Sequence, residues 1–235
     1  MQLIEKIALL QPYHHQQLVQ WVDALLQKKP LYPPKAAYQA EDILKILEHF
    51  PKDKAWTAKE LDDEHIFPPQ LTVKIELIDY TICLMPDPTS SHQEILTNVA
   101  TYINIFVRKN KIGKVYVAPF SLHIDEGNVR KPDIVLVLSH KTERVTERGI
   151  YEAPDLVVEV ISPANYKKLR AEKKTAYAQF GVSEYWEIYP STQEIHVAVL
   201  EDAEYRAFSV ASPEGNDRIY SKILPGFTLA LAEVF

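Results

Sequence analysis

The chain has 235 residues, 46% of them apolar and 25% charged, which is ordinary for a globular protein and enough for one large domain or one domain with an appendage. A net charge of -6 excludes a general nucleic-acid coat, which would be basic, but not an enzyme that meets nucleic acid at a local basic groove. The single cysteine, Cys83, excludes an intrachain disulfide and a cysteine-based zinc site. No apolar run approaches the roughly 18 residues of a transmembrane helix, and the start lacks the ordered regions of a signal peptide. The expectation is a soluble, cytoplasmic protein with no membrane partner.

Residues 3–28 carry Leu3, Ile7, Leu10, Leu18, Trp21, Val22, Leu25 and Leu26 at three- and four-residue steps, a helical pattern interrupted near Pro12. The prolines of Lys28–Lys35 end it. A second short helix is expected over Glu41–Phe50, and a boundary in 51–70, where Pro51, Pro68 and Pro69 cluster with charge. The resulting division is a helical N-terminal extension over 1–56 and a main domain over 57–235. Val73–Leu84 reads as a strand or hairpin. Ser90 or Ser91 is the expected N-cap, with Glu94 in the first turn, of a helix over His92–Asn110 closed by Gly113. Its expected apolar stripe is Ile95, Val99, Tyr102, Ile103 and Phe106. Strands VYVAPFSLHI, DIVLVL and LVVEVI follow, then a helix over Lys168–Phe180 ended by Gly181. EYWEIY and EIHVAVL form an expected hairpin across PSTQ, YRAFSV a last strand, and ILPGFTLALAEVF a strand with a short helical turn. This order defines an α/β domain with a mixed sheet.

Glu159 lies in the apolar run APDLVVEVISP, where burying an ionised carboxylate costs several kcal/mol unless it is paired, hydrogen-bonded or bound to metal. Alternation puts Asp155, Val157, Glu159 and Ile161 on one face and Leu156, Val158 and Val160 on the other, with Asp155 expected at a wet strand entrance. Asp133 opens a second such strand in KPDIVLVL. Taken singly, Asp133 also reads as a turn acid after proline, and Glu159 as the partner of a buried Arg or Lys. Together they are the candidate ligands of Mg²⁺ or Mn²⁺, which take oxygen donors and need only one or two carboxylates.

Lys173 falls on the apolar stripe of Leu169, Ala176, Tyr177 and Phe180, so it is a candidate to orient an attacking water or neutralise developing charge; the alternative is a stem that snorkels to solvent. Lys167, Lys168, Arg170 and Lys174 read as a solvated basic face. Glu76, in KIELID, is a further candidate for the cleft, and His92 a weaker one. Tyr177 and Trp186 read as packing residues. There is no Walker loop, GxGxxG run or Ser-His-Asp order.

The runs ELID, MPDPTSSHQ, APFSLHI, KPDIVLV, APDLVVEVISP, EKKTAYAQFGVSEYW and LPGFTLALAEVF resemble the Uma2 family over about residues 57–235. These are restriction-endonuclease-like proteins, abundant in cyanobacteria, of the PD-(D/E)XK nuclease superfamily. The resemblance implies a restriction-endonuclease-like mixed β-sheet core flanked by helices and Mg²⁺-dependent cleavage of DNA phosphodiester bonds. It implies Asp133 and Glu159 as the paired acids and Glu76 as an early acid. Ile161 stands where the superfamily has its usual lysine, and Lys173 matches the family's helix lysine. The family has Gly where Tyr80 stands here, and commonly Asp where Leu169 stands. A homodimer follows by analogy with nucleases that cut two strands. The alternative is a catalytically weak or inactive nuclease-like module that works through protein or DNA binding. The N-terminal LIEKIALLQPYHHQQLVQWVDALLQKK resembles helical segments of small antitoxin-like proteins.

Overall fold

The computed structural model describes residues 30, 32, 35, 37–68, 71, 73–161 and 167–235, with 167–169 as backbone only. The helix expected over residues 3–28 lies outside them, as do the side chains of Lys167, Lys168 and Leu169. The chain divides into two compact units, Met1–Pro86 and Asp87–Phe235.

In the first unit, α1 (Ala40–Leu47) begins at Gln39, whose amide donates to the Asp42 carboxylate, and buries Ile43 and Ile46. A one-turn helix, α2 (Ala58–Leu61), starts at Thr57, whose hydroxyl accepts from the Glu60 amide. Strands β1 (Ile75–Ile78) and β2 (Thr81–Leu84) form the expected hairpin. Its two turn residues, Asp79 and Tyr80, have φ of 45° and 60°, the pattern of a type I′ turn. This explains why glycine suits the position of Tyr80. Tyr80→Gly is expected to stabilise this unit by about 0.5–1 kcal/mol, because relief of left-handed strain outweighs the flexibility that glycine adds to the unfolded chain. Denaturant unfolding checks it.

The second unit is built on a six-stranded mixed sheet ordered β12-β11-β10-β9-β6-β3. Its strands are β3 (Gly113–Val117), β6 (Ile134–Leu138), β9 (Leu156–Val160), β10 (Glu184–Tyr189), β11 (Glu194–Glu201) and β12 (Glu204–Ala211). Only β9 and β10 are parallel, joined through α4 (Lys167–Phe180); the other neighbours are antiparallel.

One face of this sheet carries Leu156, Val158, Val160, Trp186 and Ile188, which pack with α3 (Ser90–Asn110) through Ile95, Leu96, Val99, Ile103 and Val107. The four-residue step from 95 to 107 turns Tyr102 outward, so Leu96 and Val107 complete the stripe in its place. Thr89, not Ser90 or Ser91, caps α3, its hydroxyl accepting from the His92 amide. At the other end Lys111 adopts the left-handed cap (φ 56°), and Gly113 is already in β3. A short pair, β13 (Arg218–Tyr220) and β14 (Thr228–Ala230), closes this core.

On the other face Val157, Tyr177, Val182 and Tyr185 pack with Leu122 and Ile150. Those last two belong to β4 (Leu122–Asp125) and β8 (Gly149–Ile150), which join β5 (Asn128–Arg130) and β7 (Val145–Thr146) in a second layer. The run VYVAPFSLHI is therefore two strands, β3 and β4, in different sheets, separated at Ala118–Pro119. Proline has no N–H to continue a ladder, so the strand ends there.

Candidate active site

Strands β6 and β9 run in the register Ile134↔Val158, and one further step sets Asp133 across from Glu159. There the backbone ladder gives way to a side chain. The amide of Val160 donates to Asp133 Oδ2 at 2.8 Å, while the Ala118 amide donates to the Asp133 carbonyl at 3.0 Å. This fixes the acid at the carboxyl end of β9, the end at which open α/β sheets bind ligands. Asp133 is 5% exposed. His92, in the first turn of α3, brings Nε2 to 3.4 Å from Asp133 Oδ2 and has a largely buried side chain.

Glu159, also 5% exposed, faces α4. Its Oε1 accepts from the Tyr177 hydroxyl at 2.7 Å and from Lys173 Nζ at 3.2 Å. Lys173 and Tyr177 are four residues apart, one helical turn, so both reach the same oxygen from one stripe. The Lys173 ammonium is turned inward with only 12% of the side chain exposed; it does not snorkel. Tyr177 is fully buried, yet it is more than packing, since it orients the acid.

Three features differ from the sequence expectations. Asp155 is not at a wet strand entrance: it is 5% exposed, accepts from the Leu138 amide at 2.8 Å and pairs with Lys141 at 3.0 Å. The chain reverses through Ser139–Arg144 and brings Lys141 back over it, so this acid pins a turn. Arg170 and Lys174 are more than a solvated face: still partly exposed, each lies 3.6 Å from Glu187. Glu187, 6% exposed, is a site residue that the sequence reading does not single out. It is the register partner of Glu159 on β10 and points to the same helix. Its signal is the one that marks Glu159, a carboxylate inside an apolar strand.

The two glutamates act on their neighbours. Burial, reinforced by the charges of Glu159 and Glu187, pushes the Tyr185 phenol well above its usual range. Burial and Glu187 push Tyr189 up to about 12 against the opposing pull of Arg170. Glu76, on β1, belongs to the first unit, where it is fully buried with Lys74 Nζ at 4.0 Å from Oε1.

Among the described residues no cluster of three or more His, Cys, Asp or Glu side chains is arranged as a metal cage. Mg²⁺ does not need one, since it keeps several waters and takes one or two carboxylates. The hard oxygen donors of Asp133 and Glu159, on adjacent strands, suit such an ion.

The mixed sheet, with α3 packed on one face and α4 on the other, is a nuclease-like α/β fold. The chain belongs to the Uma2 family, described as "Putative restriction endonuclease", whose model matches residues 62–232. Among solved structures it is similar to a protein of Anabaena variabilis ATCC 29413 described as "a putative nuclease belonging to DUF820". The two share 20% identity at a TM-score of 0.57, covering 75% of this chain and 97% of that one, which is a likeness of fold. No curated protein matches. Among the described residues no helix is long and apolar enough to cross a membrane.

Proposed function

We propose that this chain is a divalent-metal-dependent nuclease that hydrolyses DNA phosphodiester bonds at Asp133 and Glu159. The observation that carries this reading is the paired placement of the two buried carboxylates at the carboxyl end of β9, with an inward lysine on one of them. Mg²⁺ or Mn²⁺ held by Asp133 and Glu159 would supply Lewis-acid stabilisation of the charge that develops on the phosphate.

The chain's own groups have distinct tasks. The Val160 amide and His92 hold Asp133 on one side, and Tyr177 holds Glu159 on the other. Lys173 carries a positive charge to the place where phosphate and attacking water meet. There it can orient the water and offset negative charge in the transition state. Ile161, in the position of the superfamily's usual lysine, is buried and apolar, so Lys173 supplies the cation from α4 instead.

Incubation with plasmid and single-stranded DNA, with Mg²⁺, Mn²⁺ or chelator, tests the proposal. Cleavage is expected with either ion and not with chelator. Lys173→Ala is expected to lower the rate about a hundredfold, with partial recovery in Lys173→Arg. A wild-type protein that cuts neither substrate under any of these conditions overturns the reading in favour of a non-catalytic, nuclease-like binding module.

A further inference from the structure

A cleft of about 790 Å³ in the second unit is lined in part by His92, Ile161, Arg170, Tyr189, Gln193 and Phe235. Two of these also touch the acids. His92 Nε2 stands 3.4 Å from Asp133, and Arg170 Nε stands 3.6 Å from Glu187, the register partner of Glu159. The cleft therefore adjoins the place assigned to the scissile phosphate. Its volume is that of a pocket for a small, compact ligand.

The chemistry of its wall is specific. The guanidinium carbon of Arg170 lies 5.6 Å from the centre of the Tyr189 ring, and the other ring in contact with Tyr189, that of His196, lies 4.8 Å from it. Glu187 holds Arg170 from the strand side, so the guanidinium is positioned before any ligand arrives. The guanidinium lies over the Tyr189 ring, so its outer face, backed by that ring, offers stacking that every nucleobase accepts, together with attraction for a phosphate. Bases inside a continuous duplex have both faces covered by their neighbours. Only an unpaired or extruded base presents a face to a pocket of this size.

We propose that this cleft seats an unpaired base beside the scissile phosphate, so that the chain acts on single-stranded DNA or single-stranded ends in preference to continuous duplex. The inference rests on the nuclease reading of Asp133 and Glu159 and specifies its substrate. Glu187 is then a positioning residue acting through Arg170 and Lys174. Tyr189, its phenol pushed up to about 12 by burial and Glu187, backs the guanidinium as a neutral ring near neutral pH. A single strand needs one cut, and so needs no second copy of the chain.

Fluorescence anisotropy tests this with the Glu159→Gln protein in chelator, using a labelled single-stranded oligonucleotide and the matching blunt duplex. The single strand is expected to bind at least about tenfold more tightly. Tyr189→Leu in that background should weaken single-strand binding about tenfold and leave duplex binding unchanged, while Tyr189→Phe, which keeps the ring, retains it. Equal binding of the two substrates overturns the proposal, as does a folded Tyr189→Leu protein that binds like its parent, or a Tyr189→Phe protein that loses as much as Tyr189→Leu. Because binding is read without metal, the two readings separate. Selective binding by a wild-type protein that cuts nothing sinks the nuclease reading and leaves the base site standing. Cleavage of duplex with no strand preference sinks only the base site.

Discussion

Glu159→Gln is expected to lower metal-dependent cleavage by about a thousandfold or more while leaving the fold intact. The substitution is nearly isosteric, and the retained carbonyl oxygen can still accept from the Tyr177 hydroxyl and Lys173 Nζ, which both meet Oε1. What disappears is the negative charge. That charge has two roles in the proposed site: with Asp133 it makes a doubly anionic seat for a divalent ion, and it holds the Lys173 ammonium in place. Loss of one electrostatic contact in an active site typically costs about 10²–10³ in rate, and here two are lost at once. A second measurement does not depend on turnover. Mn²⁺ bound only by the folded state raises the melting temperature in proportion to the logarithm of ion concentration over its dissociation constant. The wild type should show this shift and Glu159→Gln should not. If both proteins shift alike and cut alike, Glu159 is no ligand, and its bond to Lys173 is only a structural ion pair.

That alternative is visible in the sequence itself. A glutamate in LVVEV demands a partner, and Lys173 on an apolar stripe demands one too; their meeting at 3.2 Å satisfies both. Strand alternation at period 2 and helix stripes at 3.6 are enough to assign the two faces of β9 and the inward side of α4, because burial enforces those periods. The hairpins and the βαβ step are legible for the same reason. What local pattern cannot supply is the fate of the chain between elements. Asp155 reads as exposed because it follows Pro154, yet the return of Lys141 over it depends on a turn at Ser139–Arg144 that has no periodicity. The split of VYVAPFSLHI between two sheets likewise depends on where β3 and β4 find partners. Glu187 is obscure for a different reason. EYWEIY holds two carboxylates in one strand, and alternation sends Glu187 to the side of Glu159 and Glu184 to the opposite core.

Glu184 therefore provides the converse test. It is fully buried, but on the face of Trp186 and Ile188, away from α4. All its described donors are protein N–H groups. Trp186 Nε1 reaches Oε1 at 2.7 Å, and the amides of Lys222 and Ile223 reach Oε2 at 2.7 and 3.1 Å. Three N–H bonds replace the water that a carboxylate gives up on burial, so this acid ties the loop at Lys222–Ile223 to the central sheet and is not a ligand. An amide cannot do the same. Whichever way the carboxamide of Glu184→Gln turned, its NH₂ would face at least one N–H donor, and the gentler orientation still orphans the Trp186 indole. Glu184→Gln is thus expected to cost about 2–3 kcal/mol, since hydrogen bonds to charged groups contribute about that much and an unsatisfied buried donor adds its own penalty. In a unit of this size that lowers the melting temperature by about 5–10 °C, readable by calorimetry. Below the transition, cleavage should match wild type. The two variants would then separate two chemically identical changes: Glu159→Gln loses rate in a protein that still folds, and Glu184→Gln loses stability and keeps rate. A Glu184→Gln protein that melts like wild type would contradict the structural role assigned to this acid, and one that is stable but inactive would move the site to the other face of the sheet.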